Sequence, residues 1–421
     1  MITLIKNASQ IVTVSDNSGK NKKVELKNGF AVLTGYSLVI EDSKIKDIIP
    51  NSKAEKTSHD RIIDVKDCVI LPGLVECHTH SVFAGSRSNE FLLRLKGASY
   101  EEIAEKGGGI ISTVKAVRES SFEELSGLLK PRIDNFIRQG ITTLEIKSGY
   151  GLSFYDEIKI LQVINHFRVH SPIDIIPTFL GAHTYPPEYK NDHKGYINLI
   201  VDELLPYIIK NKLAGFVDAF CERTAFSAEE VDMIFSKAKK LGYKIRLHTN
   251  QFNCIGGIET ALKYNAQSVD HLEIISDEEI AKLADSDTSA VLLPGVSFFL
   301  DYNYAPARKL IDANVPVALS TDFNPGSSNI PNLHLIMSLA SLKMKMTSEE
   351  IIASVTLNAA KVLDMNKEIG SIGIDKQADF SIFEAKEYSE IIYNIGRNLN
   401  KMTIKKGSVI YNRDEGVYES Y

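Results

Sequence analysis

Eight short apolar runs alternate with helical patterns through the middle of this 421-residue chain, and this alternation constrains its fold more than any other feature. The runs lie at residues 68–75, 141–146, 173–180, 215–220, 244–247, 267–269, 290–293 and 316–319. Strands that alternate with helices pair in parallel, and eight such units close into a barrel. The sequence therefore predicts an α/β fold built on a (β/α)8 TIM-like barrel.

The segment FEELSGLLKPRIDNFIRQG, between the first two runs, shows the helical pattern well. Gly140 at its end is a good helix stop. Its predicted apolar face consists of Leu125, Leu128, Leu129, Ile133, Phe136 and Ile137. A doubly wound open sheet is the competing architecture, and it is disfavoured because no GxGxxG or P-loop motif follows an early strand.

The two ends of the chain have a different texture from the middle. Residues 1–65 and 370–421 consist of short strand-like runs separated by polar or glycine-bearing turns. Two such segments that bracket a long middle predict one small composite β-sandwich domain formed by both termini. The expected domains are therefore 1–65 plus 370–421, and a barrel at 66–369.

Composition and charge narrow the class of protein. The net charge of −6 argues against a nucleic-acid or membrane-surface partner. No segment reaches the roughly 18 apolar residues of a membrane span, and the N-terminus lacks the features of a signal peptide. Four widely spaced cysteines fit reduced thiols better than a disulfide framework, so we expect a cytoplasmic protein.

Five of the ten histidines stand at the ends of predicted strands. They are His78, His80, His183, His248 and His271, and the eighth strand is followed by Asp322. The His-x-His spacing places two imidazoles on one side of an extended strand, because side chains alternate with period two. Imidazoles and a carboxylate gathered at the active end of a barrel indicate a metal site, and these ligands suit zinc or iron equally. The remaining histidines (at 59, 166, 170, 193 and 334) fall in helices or loops, where a solvated or capping role is expected.

Several longer motifs carry a family resemblance. The run LPGLVECHTH at 71–80 resembles the first-strand signature of the amidohydrolase superfamily, and GSIGIDKQADFSIF at 370–383 resembles its return into the composite β domain. Within that superfamily, FAGSR at 83–87, KSGYGL at 147–152, GAHTYP at 181–186 and STDFNPGSS at 320–328 resemble the imidazolonepropionase family. The resemblance covers nearly the whole chain.

The resemblance implies a hydrolase with one divalent metal per chain, zinc or iron. It implies that the small-molecule substrate is 4-imidazolone-5-propanoate, opened at its ring C–N bond to N-formimidoyl-L-glutamate in L-histidine degradation. The implied metal ligands are His78, His80, His248 and Asp322. The implied substrate contacts are Arg87, Tyr150, His183, Gln251, Asn324, Gly326 and Ser327, with Tyr100 at the rim. The implied catalytic groups are His271, beside the attacking water, with Asp322 and Gln251.

These residue types suit that chemistry, but each has an ordinary structural alternative. Arg87 offers a planar fork for a carboxylate, and an Arg just past a strand end is otherwise a surface ion pair. The turn at 324–327 could present main-chain donors to a ligand, although Asn-Pro-Gly-Ser is also common turn vocabulary. Tyr150 is alternatively a turn aromatic, and we expect Lys147 and Glu222 to be structural charges.

Two absences narrow the chemistry further. The fourth strand has no Lys that could be carboxylated to bridge two metals, which disfavours binuclear relatives. Gln251 stands where deaminase relatives place a Glu, and an amide does not shuttle protons. Proton transfer is therefore expected from Asp322, His271 or both.

Two alternatives to this function stay open at the level of sequence. One is another mononuclear amidohydrolase that acts on a cyclic amide or an aminated heterocycle. The other is a non-catalytic barrel scaffold, although a scaffold has no need of metal ligands at its strand ends. A homodimer is expected from the frequency of such assemblies alone.

Overall fold

The computed structural model describes residues 1–14, 30–97, 108–415 and 417–418. Tyr100 lies outside these ranges. Within these ranges the strands form three sheets with four, eight and seven members. The eight-stranded sheet is the barrel, the four-stranded sheet consists of N-terminal strands, and the seven-stranded sheet combines strands from both ends of the chain.

The barrel strands follow one another in chain order, and every neighbouring pair is parallel. They are β8 (Leu74–Glu76), β9 (Ile141–Lys147), β10 (Asp174–Ala182), β11 (Phe216–Cys221), β12 (Lys244–Thr249), β13 (Ser268–His271), β14 (Ser289–Leu292) and β15 (Val317–Leu319). The predicted barrel is confirmed. Each strand overlaps one of the eight apolar runs.

The first run is divided between two sheets, which the sequence reading did not anticipate. Its first half forms β7 (Val69–Pro72), which pairs with terminal strands, and only β8 belongs to the barrel. Gly73 lies at the division, and a Cβ there would be 2.6 Å from Thr142 Cγ2. The chain thus passes from one sheet to the next at a point with no room for a side chain. The β-sandwich consequently extends past residue 65 to the end of β7. The other domain bounds, at 370 and 421, stay a prediction.

Main-chain contacts just beyond the strands join β15 to β8. The amide of Asp322 donates to His78 O at 3.1 Å, and the amide of His80 donates to Phe323 O at 3.0 Å. Thr79 and Phe323 form a parallel bridge between these contacts. This junction places three of the implied metal ligands side by side.

The helices follow the strands along the chain. They span Asn51–Ala54, Ser88–Leu95, Ile110–Glu119, Phe122–Arg138, Phe154–His170, His193–Asn198, Leu205–Lys210, Ala228–Lys240, Gly257–Lys263, Asp277–Ala284, Pro294–Leu300, Ala307–Asp312, Leu333–Met344, Ser348–Ser354, Leu357–Val362 and Ser389–Tyr393. A 3-10 turn covers Pro187–Tyr189, and a π-helical turn covers Leu199–Leu204. Within the described ranges, no helix is long and apolar enough to cross a membrane.

The helix Phe122–Arg138 shows why these segments fold as they do. Ser121 and Glu124 form a capping box at its start, and Gly140 follows its end at φ 94°. Five of the six predicted face residues are buried, but Leu128 is 40% exposed, so its assignment to the face was wrong. His334 is buried rather than solvated, and its Nε2 lies 3.0 Å from the carbonyl oxygen of Gln139, the C-cap residue of this helix, so the capping alternative holds for it.

The terminal strands form a β-sandwich, as predicted. One sheet has the order β5-β4-β1-β6 and the other β19-β18-β17-β16-β7-β2-β3. The strands are β1 (Ile2–Lys6), β2 (Gln10–Val14), β3 (Phe30–Leu33), β4 (Tyr36–Glu41), β5 (Lys44–Pro50), β6 (Arg61–Asp64), β16 (Phe380–Phe383), β17 (Asn400–Lys405), β18 (Ser408–Asn412) and β19 (Val417–Tyr418). One apolar cluster joins the sheets, with Leu38 and Ile40 from the first and Ile70 and Phe380 from the second.

Candidate metal centre and active site

Four of the strand-end side chains converge on one point at the C-terminal end of the barrel. His78 Nε2 and His80 Nε2 each lie 3.3 Å from Asp322 Oδ1. His80 Nε2 is also 3.5 Å from His248 Nε2. All four side chains are buried, and they come from the ends of β8, β12 and β15.

The nitrogen and oxygen atoms at this point fit a metal ion. His78 Nε2 and Asp322 Oδ1 are buried and have no hydrogen-bond partner. Buried polar atoms are nearly always hydrogen-bonded, so orphaned atoms that face one another need another partner. Imidazole nitrogen and carboxylate oxygen are ligands that zinc and iron both accept. The residues therefore suit a divalent cation, for which His78, His80 and Asp322 form one group of candidate ligands and His78, His248 and His271 another.

Two buried carboxylates orient the histidines from behind. His78 Nδ1 lies 2.6 Å from Asp270 Oδ2, and His248 Nδ1 lies 3.1 Å from Asp218 Oδ1. An Nδ1–H that donates to a carboxylate leaves Nε2 unprotonated, which is the form a metal ligand needs. The rings are thus fixed in tautomer and direction by β11 and β13.

Two buried cations hold those carboxylates in turn. Lys147 Nζ lies 2.9 Å from Asp218 Oδ2 and 2.8 Å from Glu145 Oε1. Arg246 Nη2 lies 2.6 Å from Asp270 Oδ2, and its Nη1 is 3.2 Å from Glu145 Oε1. Lys147 is therefore more than an isolated structural charge, since it contacts the carboxylate that orients a metal ligand.

The formal charges of this layer leave a negative excess. The layer holds two cations and four carboxylates, namely Lys147, Arg246, Glu145, Asp218, Asp270 and Asp322. Burial raises the pKa of a further acid, Glu76, to about 8, so that group is neutral at pH 7. This formal excess of negative charge favours a cation in the site.

The pKa shifts agree with this arrangement. Burial strongly lowers the pKa of the His248 imidazole and outweighs the opposing effect of Asp218. Burial raises the pKa of the Asp322 carboxyl, but His78 and His80 outweigh it and hold that pKa well below its usual range. At neutral pH the site therefore presents a neutral imidazole and an ionised carboxylate.

A cavity of 540 Å³ opens onto the metal ligands. Its wall contains every implied site residue within the described ranges except His78, which lies behind it. The residues brought together are His80, Arg87, Tyr150, His183, His248, Gln251, His271, Asp322, Asn324, Gly326 and Ser327. The roles that the resemblance gives them are taken up under the proposed function.

Arg87 lies inside the cavity, in an ion pair with Glu90. Its Nε donates to Glu90 Oε2 at 2.8 Å, and Nη2 lies 2.7 Å from the same oxygen. Glu90 Oε1 accepts from the amide of Gly109 at 3.0 Å, which ties the guanidinium to a second loop. The guanidinium also packs on Gly326, where a Cβ would be 2.9 Å from Arg87 Cζ and closer still to Nη1. A side chain at position 326 would therefore displace the Arg87 guanidinium.

The turn at 324–327 is organised by Asn324. Asn324 Nδ2 donates to Asp322 Oδ2 at 3.0 Å, which fixes the carboxylate oxygen that faces away from His78 and His80. Asn324 Oδ1 accepts from the amides of Gly326 and Ser327, each at 2.8 Å. The expectation that these amides serve a ligand was wrong for this structure, because Asn324 already occupies them.

His183 and Tyr150 form the wall beside His80. The rings of His183 and His80 stack with centroids 5.1 Å apart, and Tyr150 lies 5.4 Å from His183. His183 Nδ1 donates to Gly149 O at 3.0 Å, and burial lowers the pKa of this imidazole to about 3. His183 is therefore neutral, with Nε2 left as a hydrogen-bond acceptor. Burial raises the pKa of the Tyr150 hydroxyl, which keeps it a donor.

His271 has an unusual backbone and an acidic neighbour. Its φ is 89° and that of Leu272 is 65°, a region that costs residues other than glycine about 1–3 kcal/mol. His271 Nδ1 lies 3.5 Å from Glu273 Oε1. Burial lowers the pKa of His271, but Glu273 outweighs this and raises it overall.

Gln251 is placed by a carboxylate that the sequence reading treated as structural. Glu222 Oε2 accepts from the amides of Phe252 at 2.9 Å and Asn253 at 3.2 Å. Both amides follow Gln251 directly, so Glu222 fixes the segment that carries it. Sequence reasoning missed this contact, as it missed Asp218, Asp270 and Arg246. The available signal was a charged residue two positions before a site residue in an otherwise apolar strand, as in Arg246 before His248.

A (β/α)8 barrel with this histidine and aspartate cluster at its C-terminal end defines a metal-dependent hydrolase. A model of the amidohydrolase family matches residues 69–410, and the chain belongs to that family. The divalent metal that this family implies is consistent with the His/Asp group in the structure.

The relatives narrow this class. The chain is 43% identical over 413 residues to the imidazolonepropionase of Geobacillus thermodenitrificans, with 97% of each chain covered. It is 42% identical over 412 residues to the imidazolonepropionase of Flavobacterium johnsoniae, with 97% of this chain and 100% of the relative covered. Within the amidohydrolases, the chain is thus a member of the imidazolonepropionase group.

Solved structures share the fold at much lower identity. An adenosine deaminase from Xanthomonas campestris with bound zinc superposes with a TM-score of 0.72 at 18% identity. The match covers 99% of this chain and 94% of the other. At that identity the likeness shows the fold alone.

Proposed function

We propose that this chain hydrolyses 4-imidazolone-5-propanoate to N-formimidoyl-L-glutamate. The observation that carries the proposal is the Arg87 guanidinium, which faces the same cavity as the metal ligands and is fixed there by Glu90 and Gly326. A substrate with a ring lactam and a carboxylate tail needs both features in one cavity. The names of the full-length relatives support the same reaction.

The proposed metal is one zinc or iron ion per chain, held by His78, His80, His248 and Asp322. The formal negative excess of the buried layer supports a cation at this place. When bound, such an ion lowers the pKa of a coordinated water to about 7 and so supplies a nucleophile at neutral pH. The buried carboxylates of Asp270 and Asp218 hold the two rings in the direction that this task needs, and burial, which outweighs Asp218, lowers the pKa of His248.

The substrate is bound through its two ends. Arg87 binds the tail carboxylate through the N–H groups that Glu90 leaves available, since a guanidinium has five donors. The Tyr150 hydroxyl donates to the ring, and His183 Nε2 accepts a ring N–H. Gln251 pairs with the lactam–amidine edge as a neutral donor and acceptor.

The reaction forms one bond and breaks one. The water oxygen bonds to the ring carbonyl carbon, the ring C–N bond breaks, and the released nitrogen takes a proton. His271 Nε2 and Asp322 Oδ2 handle these protons, because Gln251 does not titrate in this range. The pKa of His271, raised by Glu273, suits a group that exchanges protons near neutral pH.

The test is direct turnover. Purified protein loaded with zinc or iron is incubated with freshly prepared imidazolone propanoate, loss of the ring absorbance is followed, and the product is identified by mass spectrometry. We expect N-formimidoyl-L-glutamate, and none from the His248→Ala variant or from protein stripped of metal. Metal-loaded protein that leaves the substrate intact, or wild-type protein that binds no metal, would contradict the proposal and favour a different amidohydrolase or a scaffold.

A further inference from the structure

A second arginine faces the cavity and has no part in the proposed reaction. Arg87, Glu90 and Arg94 stand at spacings of three and four residues along the helix Ser88–Leu95, so they share one helix face. All three line the cavity. Glu90 is engaged by Arg87 through two close contacts.

Arg94 is held in place by aromatic rings. Its Cζ lies 5.1 Å from the centroid of Phe299 and 5.7 Å from that of Phe91. Among the residues that the structure describes, no carboxylate forms an ion pair with it. Stacked arginines keep their in-plane donors available. Glu90 attracts this cation at longer range but forms its close ion pair with Arg87.

Arg94 lies nearer to the protein surface, and farther from the metal ligands, than Arg87. Arg87 packs on the turn that contacts Asp322, whereas Arg94 packs on Phe91, which is 38% exposed. Seven residues separate the Cα atoms of the two arginines by about 10 Å along the helix axis. A substrate seated with its carboxylate at Arg87 and its ring towards Asp322 extends away from the end of the helix that carries Arg94. Arg94 is therefore not needed to hold the seated substrate.

We propose that Arg94 forms an outer carboxylate subsite, which captures the anionic tail of the substrate at the cavity mouth before the tail moves to Arg87. The proposed subsite rests on the proposed function for the identity of the substrate. The class of ligand, a small carboxylate, follows from the two arginines alone. With the Cα separation of about 10 Å taken as the distance between the charges, one unit charge changes the attraction by about two- to fifteenfold, depending on the effective dielectric. Salt screens such an interaction, because the Debye length at 0.1 M is about 10 Å.

The first experiment compares Arg94→Gln with Lys96→Gln in the metal-loaded enzyme. Lys96 lies on the same helix, is exposed and does not line the cavity, so its replacement makes the same change in net charge. We expect Arg94→Gln to lower kcat/KM about two- to fifteenfold at roughly 0.01 M salt, through KM, and the loss to shrink at roughly 0.3 M. Arg94→Lys should restore most of it. An equal loss in Lys96→Gln, a parallel loss of kcat, or no loss at low salt would overturn the proposal.

A second measurement separates this proposal from the proposed reaction. Calorimetric binding of 3-(imidazol-4-yl)propanoate and of 4-methylimidazole to the loaded proteins needs no turnover. Arg94→Gln should weaken binding of the carboxylate ligand at low salt and leave 4-methylimidazole unchanged. If the wild-type protein shows no turnover but Arg94→Gln weakens binding of the carboxylate ligand alone, the proposed reaction is wrong and the proposed subsite is supported. If both ligands respond alike, the subsite is wrong whatever the reaction.

Discussion

Replacing Gly326 by Ala should disable tail binding without touching the metal site. The new Cβ would lie 2.9 Å from Arg87 Cζ, whereas carbon atoms in contact need about 3.5–4.0 Å. The guanidinium must therefore shift by about 0.5–1 Å, with a larger movement at Nη1. The φ of Gly326 is not among the positive values, so Ala introduces no backbone strain of that kind.

The expected cost follows from the interaction that is lost. A hydrogen bond to a charged group contributes about 1.5–3 kcal/mol, which corresponds to about a ten- to hundredfold loss of kcat/KM. The metal content and the melting temperature should stay near those of the wild type. Gly215→Ala is the matched control, because a Cβ at Gly215 meets no atom within 4 Å.

The assay is steady-state kinetics in a double-mutant cycle with Arg87→Gln. If Gly326→Ala acts through Arg87, its effect should be small when Arg87 is already replaced, since residues in contact are not additive. Equal losses in both backgrounds, or an unchanged kcat/KM in the single variant, would refute the reasoning and leave Arg87 without a role in tail binding.

Three further predictions, made with four variants, test other parts of the site and fold. Asp270→Asn should weaken metal affinity about ten- to hundredfold by chelator competition, because His78 loses its charged partner; unchanged affinity would contradict the orienting role. Gln251→Glu should keep activity with a shifted pH profile, whereas His271→Asn should lose about 10²–10⁴-fold in kcat; the reverse pattern across pH 5–9 would exchange their roles. Burial lowers the pKa of His334 to about 4, so its contribution to stability is present above its unfolded pKa of about 6.5 and lost as pH falls through 4. Chemical denaturation should show His334→Gln with a smaller loss of stability between pH 7 and pH 4, and an equal loss would refute this.

The barrel, and the meeting of His78, His80, His248 and Asp322 at one end of it, were predictable because they depend on short-range periodicity. Strand runs and helical faces repeat within a few residues, and His78 and His80 share a side of the chain because strand side chains alternate. The site residues after each strand then meet because parallel strands end at the same side of a barrel. For the same reason Leu128 was placed wrongly, since periodicity alone does not define where a helix face ends.

The charged layer was not predictable, because it depends on contacts between distant strands. Arg246 meets Asp270 across β12 and β13, and Lys147 meets Asp218 across β9 and β11. Nothing in the local sequence tells whether a charge in an apolar strand faces a partner or a ligand. Asn324 accepts hydrogen bonds from the amides of Gly326 and Ser327, and this contact is local in sequence. A ligand could bind the same two amides, so the sequence alone does not tell which acceptor they contact.

The residues proposed to act on the substrate ring and those proposed to bind its tail lie in different kinds of structure. The residues that determine the reaction are therefore separate from those that determine which substrate is bound. The metal ligands and their carboxylates stand on or directly after barrel strands, and the adenosine deaminase from Xanthomonas campestris has the same fold at 18% identity. The groups proposed for the tail, Arg87 and Gly326, lie in the loops that follow β8 and β15. Loops at this end of a barrel vary without disturbing the strands. We therefore expect exchanges at Arg87 or Gly326 to alter which substrates are bound while the affinity for the metal is kept.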